Sequence, residues 1–342
     1  MTLIALAPSP ALDVTHRVVA LEPGEIHRPT EVVRLAGGKA LNVVRAAGVL
    51  GLPARAVVPL GGRMGVVVAG LAIDEGLDVR AVPIAAEARQ CLSLVPDEGA
   101  PTESYEPAPV LSEREARSLA SAVGEELAGA LAGEAIGSVA AAADAGDAPV
   151  WLAISGSLPA ALVSALLPVV EQATAAGVRV AVDSSGDGLA ALLDARPHLV
   201  KVNRAEAAGV VGAAFGAAGA AAGEDNATDA PLLELATALR DRAGRDDGLV
   251  VVTDGAHGAL ALNSAGAWLA HPDPEPGRFA VGSGDSFLAG FVAGLVAGEP
   301  TESALARASA AGSANTRSLG AARLAVADLD AAASRIRVEK LG

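Results

Sequence analysis

The stretch Ala280–Phe291, AVGSGDSFLAGF, places a carboxylate in the first turn of an apolar segment that leaves a glycine turn. Gly282, Ser283 and Gly284 offer backbone N–H groups where a helix begins, and a helix N-terminus favours negative charge. A phosphate could rest there with Asp285 beside it as a proton acceptor. Taken alone, these residues fit a plain helix cap as well as a base. The run from Ser286 is apolar on every side, so the helix is expected to be buried, its Ala and Gly positions admitting a close neighbour. This is not a dinucleotide fingerprint, since Phe287 stands where a third glycine belongs.

A second junction, Ala36–Asn42, reads AGGKALN. Gly37 and Gly38 let backbone approach a ligand, while Lys39 and Asn42 add a cation and an amide. It is not a P-loop, because Ala40 follows Lys39 and no glycine stands five before Gly38. The chain has three lysines against 22 arginines, and two of the three, Lys39 and Lys201, fall inside such blocks.

Four further blocks follow apolar runs: Ile154–Pro159 (ISGSLP), Val182–Gly186 (VDSSG), Val200–Glu206 (VKVNRAE) and Thr253–Gly258 (TDGAHG). Asn203 and Glu206, three apart, could orient waters about a divalent cation or form a solvated helix cap. Thr253, Gly255 and Gly258 suit a nucleotide-phosphate loop or an ordinary turn. Arg28 and Arg89 could hold an anionic substrate or be surface arginines. Five scattered histidines show no zinc spacing, and no G-x-S-x-G elbow occurs from which a hydrolase triad could start.

The elements that must position these residues alternate. Strands are expected at Leu3–Leu6, Ala56–Leu60, Val150–Ile154, Val178–Val182, Leu199–Val202 and Leu249–Thr253. Helices are expected at Leu41–Leu50, Glu113–Leu131, Ala161–Ala176, Leu232–Ala243, Ser286–Ala297 and Glu302–Asn315. Such alternation gives a mostly parallel sheet with helices on both faces and ligands at the C-terminal strand ends. Residues 12–36 and 88–110 lack a helical period and read as a small separate antiparallel sheet. Residues 140–148 and 212–229, rich in Ala, Gly and Asp, read as surface insertions.

At 342 residues a large core is assured, built from Ala, Val and Leu because only 2% of residues are aromatic. The net charge of −15 argues against nucleic acid and anionic membranes as partners, though not against a small anion. One cysteine, Cys91, rules out an internal disulfide and points to a reducing cytoplasm. The N-terminal MTLIALAPSPALD lacks a basic leader and reads as a first buried strand. No apolar run is long enough for a membrane span.

Taken in order, APSPALD, AGGKALN, ARQ (88–90), ISGSLP, VDSSG, KVNRAE, TDGAHG and VGSGDSFLAGF resemble the blocks of the PfkB family of carbohydrate kinases, over residues 3–320. The resemblance is closest to its phosphosugar branch. It implies an α/β ribokinase-like three-layer fold as a single domain over 1–342, with residues 12–36 and 88–110 as a β-sheet lid and homodimer interface. It implies that Asp285 is the catalytic base and that Gly282, Ser283 and Gly284 form the anion hole. Asp13, Gly37, Gly38, Lys39 and Asn42 would bind the sugar, with Arg89 and Arg28 on its phosphate. Lys201, Asn203, Thr253, Gly255, Gly258 and Asn315 would hold ATP, and Glu206 would hold Mg2+.

The implied reaction is phosphoryl transfer from ATP to a primary hydroxyl of a ketohexose phosphate. Fructose 1-phosphate stands ahead of tagatose 6-phosphate and fructose 6-phosphate, and an unphosphorylated sugar remains an alternative. Ala40, Val202, Asp254 and the pair Phe279–Ala280 depart from the family pattern, the first and last leaving the choice of sugar open. A silent sugar- or nucleotide-sensing protein on the same fold is the rival class, and the intact GSGD block speaks against it.

Overall fold

The computed structural model describes residues 2–134, 149–212 and 232–341. The insertions expected at 140–148 and 212–229 lie outside the described residues, Gly212 excepted.

The chain begins with β1 (Leu3–Leu6), β2 (Ala11–Val18), β3 (Glu31–Gly37), α1 (Lys39–Val49), β4 (Ala54–Leu60), α2 (Gly62–Asp74) and β5 (Val79–Pro83). It continues through β6 (Arg89–Pro96), β7 (Thr102–Tyr105), α3 (Glu113–Leu131), β8 (Trp151–Ser155), α4 (Ala160–Ala175), β9 (Arg179–Asp183) and α5 (Gly186–Asp194). Then come β10 (Leu199–Asn203), α6 (Arg204–Val211), α7 (Leu232–Ala243), β11 (Leu249–Thr253), β12 (Ala259–Asn263) and β13 (Gly266–Ala270). The last elements are α8 (Ser283–Val296), α9 (Thr301–Asn315), α10 (Val326–Arg335) and β14 (Val338–Leu341).

Ten strands form one sheet in the order β14-β13-β12-β11-β10-β9-β8-β1-β4-β5. From β11 to β5 all neighbours are parallel, while β12, β13 and β14 extend one edge antiparallel. The inner parallel strands are buried on both faces, which is why they read as unbroken runs such as LIAL and LVVV. One core packs α1, α2, α8 and α9 against the sheet, and a second packs α3 to α7 against its opposite face. The result is three layers.

α8 is buried along almost its whole length, as its composition requires. A Cβ on Gly290 would fall 3.0 Å from the Ala308 Cα, and one on Gly294 would fall 2.8 Å from the Ala304 Cα. The small residues therefore bring α8 and α9 into backbone contact, so a larger side chain at either glycine would force them apart.

The second sheet, β3-β2-β6-β7, is the small sheet expected from residues 12–36 and 88–110. Its central pair, β2 and β6, is parallel, which corrects the expectation of a wholly antiparallel sheet, and both outer pairs are antiparallel. An Arg278 Nη2 to Pro96 O bond of 2.8 Å ties the end of β6 to the segment preceding α8. Among the described residues no helix is long and apolar enough to cross a membrane.

Candidate active site

The strand ends and helix starts named by the sequence blocks converge. Gly282 is the N-cap of α8, with φ of 84°, and a Cβ there would sit 2.6 Å from the Ala322 nitrogen. Only glycine fits that turn without strain. The helix begins at Ser283, three residues earlier than its apolar run indicates. Asp285 therefore lies at the third helical position. The Ser283 N–H donates to Ala280 O at 3.1 Å, which corrects the expectation that it is free for an anion. The N–H groups of Gly282, Gly284 and Asp285 have no acceptor among the described residues.

Asn315 shapes this loop from below. Its Nδ2 donates to Phe279 O (3.2 Å), Val281 O (2.9 Å) and Ser283 Oγ (2.9 Å), and its Oδ1 accepts from the Ala322 N–H (2.6 Å). The side chain is wholly buried. Every polar atom it has is engaged in holding the glycine turn.

Asp285 is 7% exposed and accepts a 2.8 Å bond from Asn42 Nδ2 on α1. Burial pushes its pKa up to about 6; Lys39 opposes this, Asp183 adds to it, and the Asn42 bond and Lys201 pull it down. Such a carboxylate is ionised near neutrality yet willing to take a proton.

Asp183, at the C-terminal end of β9, accepts from Lys39 Nζ on one oxygen (2.8 Å) and from Lys201 Nζ on the other (2.7 Å). It is fully buried, and Lys201 is 4% exposed. Burial works against the Asp183 charge, but Lys201 and Lys39 overcome it and hold its pKa below the carboxylate range. Burial likewise works against Lys39, and Asp183 with Asp285 outweighs it and raises its pKa. A Cβ on Gly284 would lie 3.1 Å from Lys201 Nζ, so this ammonium rests against the mouth of the glycine loop. Sequence reasoning singled out both lysines but not the carboxylate that joins them. The position of VDSSG at a strand end was the available signal.

The lid supplies the remaining groups. Asp13, on β2, lies over Gly37, where a Cβ would collide with the carboxylate at 2.0 Å. Burial pushes Asp13 up to about 7; Arg45 opposes this, Asp285 adds to it, and Arg89 pulls the pKa down. With Cys91 and Tyr105, Asp13 lines a cavity of about 20 Å³ under the lid, next to Val281. Arg89 has a buried Nε with no partner among the described residues, so a donor remains for an anion. Arg28 does not join this group. It sits exposed between β2 and β3, and among the described residues no hydrogen bond or ion pair ties it to the cluster.

On the other side of the glycine loop, a cavity of about 360 Å³ is lined by Thr253, Gly255, Gly258, Ser283, Gly284 and Phe287, among others. It opens beside the start of α8, and its size suits a nucleotide. Asn203 and Glu206 form a reciprocal capping box, Asn203 Oδ1 accepting from Glu206 N and Glu206 Oε2 from Asn203 N, each at 2.8 Å. The bland reading of this pair as a cap is what its bonds display, and it leaves Glu206 Oε1 for a further role. Among the described residues no three His, Cys, Asp or Glu gather into a metal cluster.

A three-layer body, a four-stranded lid and a carboxylate at a helix N-terminus beside two lysines define a kinase of the ribokinase-like fold. The chain belongs to the pfkB family of carbohydrate kinases, whose profile matches residues 9–327. It is accordingly a phosphotransferase acting on an alcohol group. A 1-phosphofructokinase from Xanthomonas campestris pv. campestris is 30% identical over 300 residues, 86% of this chain and 84% of that protein. A 1-phosphofructokinase from Rhodobacter capsulatus is 38% identical over 143 residues, 42% of this chain but only 41% of that protein. Phosphofructokinase-2 from Escherichia coli, solved in complex with substrates and products, aligns with a TM-score of 0.78 at 27% identity, over 98% of this chain and 99% of its own.

Proposed function

We propose that this kinase transfers the γ-phosphoryl group of ATP to the primary hydroxyl of a ketohexose phosphate, fructose 1-phosphate foremost. The observation that carries this reading is the place of Asp285. It stands at the start of α8, between a nucleotide-sized cavity and lid groups that suit a phosphorylated sugar, Asp13 and Arg89. Relatives named 1-phosphofructokinase favour the same substrate.

Asp13, Gly37, Gly38, Lys39 and Asn42 would seat the sugar, and Arg89 its phosphate. Asp285 takes the hydroxyl proton as the sugar oxygen bonds to the γ-phosphorus; the bond to the bridging oxygen breaks, and ADP departs with that electron pair. The unengaged N–H groups at the start of α8 and the Lys201 ammonium face the charge carried by the transferring group. Glu206 Oε1, not used in the cap, would be the protein carboxylate toward a Mg2+ held otherwise by nucleotide phosphates and water. Such an ion would neutralise phosphate charge. The lid excludes water and limits wasteful hydrolysis.

We assign a homodimer formed through the lid and a cytoplasmic location. Exposed Val19, Ile26, Val32 and Val110 on or beside the lid strands support the first, and the buried free thiol of Cys91 accords with the second. Sedimentation of the purified chain tests the dimer.

A coupled ADP-release assay over fructose 1-phosphate, tagatose 6-phosphate, fructose 6-phosphate, fructose and ribose tests the substrate. Highest kcat/KM on fructose 1-phosphate is expected. Preference for an unphosphorylated sugar would overturn the reading, and no ADP release with any of them would favour a sensing role.

A further inference from the structure

We infer that Arg45 is a positioning residue: it fixes the orientation of the Asn42 amide against Asp285 and couples that orientation to the loop that receives the sugar. This rests on the reading of Asp285 as the base. Arg45 follows Asn42 by three residues on α1, so the two side chains share a face. Arg45 Nη1 donates to Asn42 Oδ1 at 2.9 Å, while Asn42 Nδ2 donates to Asp285 Oδ2 at 2.8 Å. A guanidinium can only donate, and an ionised carboxylate can only accept. An amide held between them has one permitted orientation.

Arg45 is itself held. Its Nε donates to Glu75 Oε2 (2.6 Å), its Nη2 to Ala36 O (2.6 Å), and its Nη1 also to Ala321 O (3.3 Å). Its side chain is only 9% exposed. Glu75 Oε1 in turn accepts from the Ala36 N–H at 2.8 Å. Both backbone groups of Ala36 are therefore tied to one ion pair, directly before Gly37, Gly38 and Lys39. Ala321 backs the other loop, since a Cβ on Gly282 would meet it at 2.9 Å. One planar fork thus joins the sugar loop, the amide beside the base and the backing of the glycine turn. A lysine ammonium, a point donor without that fork, cannot reproduce the set.

Without Arg45 the amide is free to turn its oxygen toward Asp285. In that orientation two acceptors face each other, so it is populated only as Asp285 takes a proton, and the hold on the ionised base is loosened. The charged groups around Asp285 are Lys39 on α1, Asp183 on β9, Lys201 on β10 and Asp13 on β2. Arg45 also lowers Asp13, so losing it moves that carboxylate toward a still higher pKa.

The test compares Arg45→Met, Arg45→Lys and Glu75→Gln with the parent, measuring pH profiles of kcat, KM for each substrate, and rescue by added guanidinium. For Arg45→Met, kcat should fall ~100-fold, with the acid limb of its profile about one pH unit higher and KM for ATP within about threefold. Guanidinium should recover ~10-fold or more, and Arg45→Lys should recover less. Glu75→Gln, which removes one acceptor, should move the acid limb in the same direction and settles the matter if Arg45→Met does not fold. An unmoved acid limb in a folded variant, or a loss confined to KM, overturns the inference. Asp285→Asn separates the two layers. Retained turnover there sinks the base itself, whereas an inactive Asp285→Asn beside unshifted Arg45 and Glu75 variants sinks only the role of Arg45.

Discussion

Lys201 and Asp183 form a 2.7 Å ion pair between the C-terminal ends of adjacent strands β10 and β9, with both side chains almost completely buried. The second oxygen of Asp183 holds Lys39, so one carboxylate fixes two of the chain's three lysines. Removing the carboxylate leaves buried ammonium charge without its partner. Asp183→Asn should therefore lose about 3 to 5 kcal/mol of stability, read from denaturant unfolding at pH 7. A loss under about 1 kcal/mol would mean that solvent reaches these lysines after all.

Asp285→Asn should lower kcat by ~1,000-fold or more while ATP affinity changes little, as equilibrium binding would report. The parent should lose activity as pH falls through about 6, because a protonated Asp285 can no longer take the hydroxyl proton. Stability runs the other way. The folded pKa lies above the ordinary 3.8, so the fold binds this proton more tightly than the unfolded chain does. The buried charge weakens the fold fully above pH 6, and the penalty fades as pH drops toward 3.8. The Asn variant should melt higher than the parent at pH 8, with the gap closing by pH 4. A lower melting point at pH 8 would refute this.

Arg89 and Arg28 should part company. Arg89→Met should raise KM for the phosphosugar ~10- to 100-fold with little change for ATP, the loss expected of a charge-assisted bond. Arg28→Met should change neither by more than about twofold, given its exposed place outside the cluster. Steady-state kinetics on both variants decide it, and equal losses from the two would restore Arg28 to the site.

Asn315→Ala removes four buried hydrogen bonds around the glycine turn. It should cost about 2 to 4 kcal/mol of stability and reduce kcat, since Val281 and Ser283 would no longer be held in place. Calorimetry with a coupled assay would show both. A variant as stable as the parent would mean that the loop keeps its form unaided.

Much of this fold is legible locally. β1, β11, α3 and α7 occupy the ranges that their patterns indicate, and α3 is bounded by a Ser112–Glu115 capping box visible in the sequence. α2 is not legible. GRMGVVVAGLAID carries three glycines and a valine trio, poor helix formers, and Val68 and Ala72 packing into the core overrides that preference. α8 starts early because Gly282 is its N-cap and the next glycine already lies inside the helix. At the site, the scarcity of lysine exposes Lys39 and Lys201, yet Asp183 stands 144 residues from Lys39. Arg45 hides for a similar reason, since its partners Glu75 and Ala321 lie 30 and 276 residues away. No short pattern records contacts of that separation.

The lid carries the chain's sole tyrosine, Tyr105 on β7, whereas Trp151 on β8 and Trp268 on β13 both belong to the large sheet. The two parts of the molecule therefore bear chemically distinct fluorophores at fixed addresses. Energy transfer from the one phenol to the indoles reports the spacing of the two sheets in unlabelled protein, so any change in that spacing on adding substrate can be read in real time by ultraviolet emission alone.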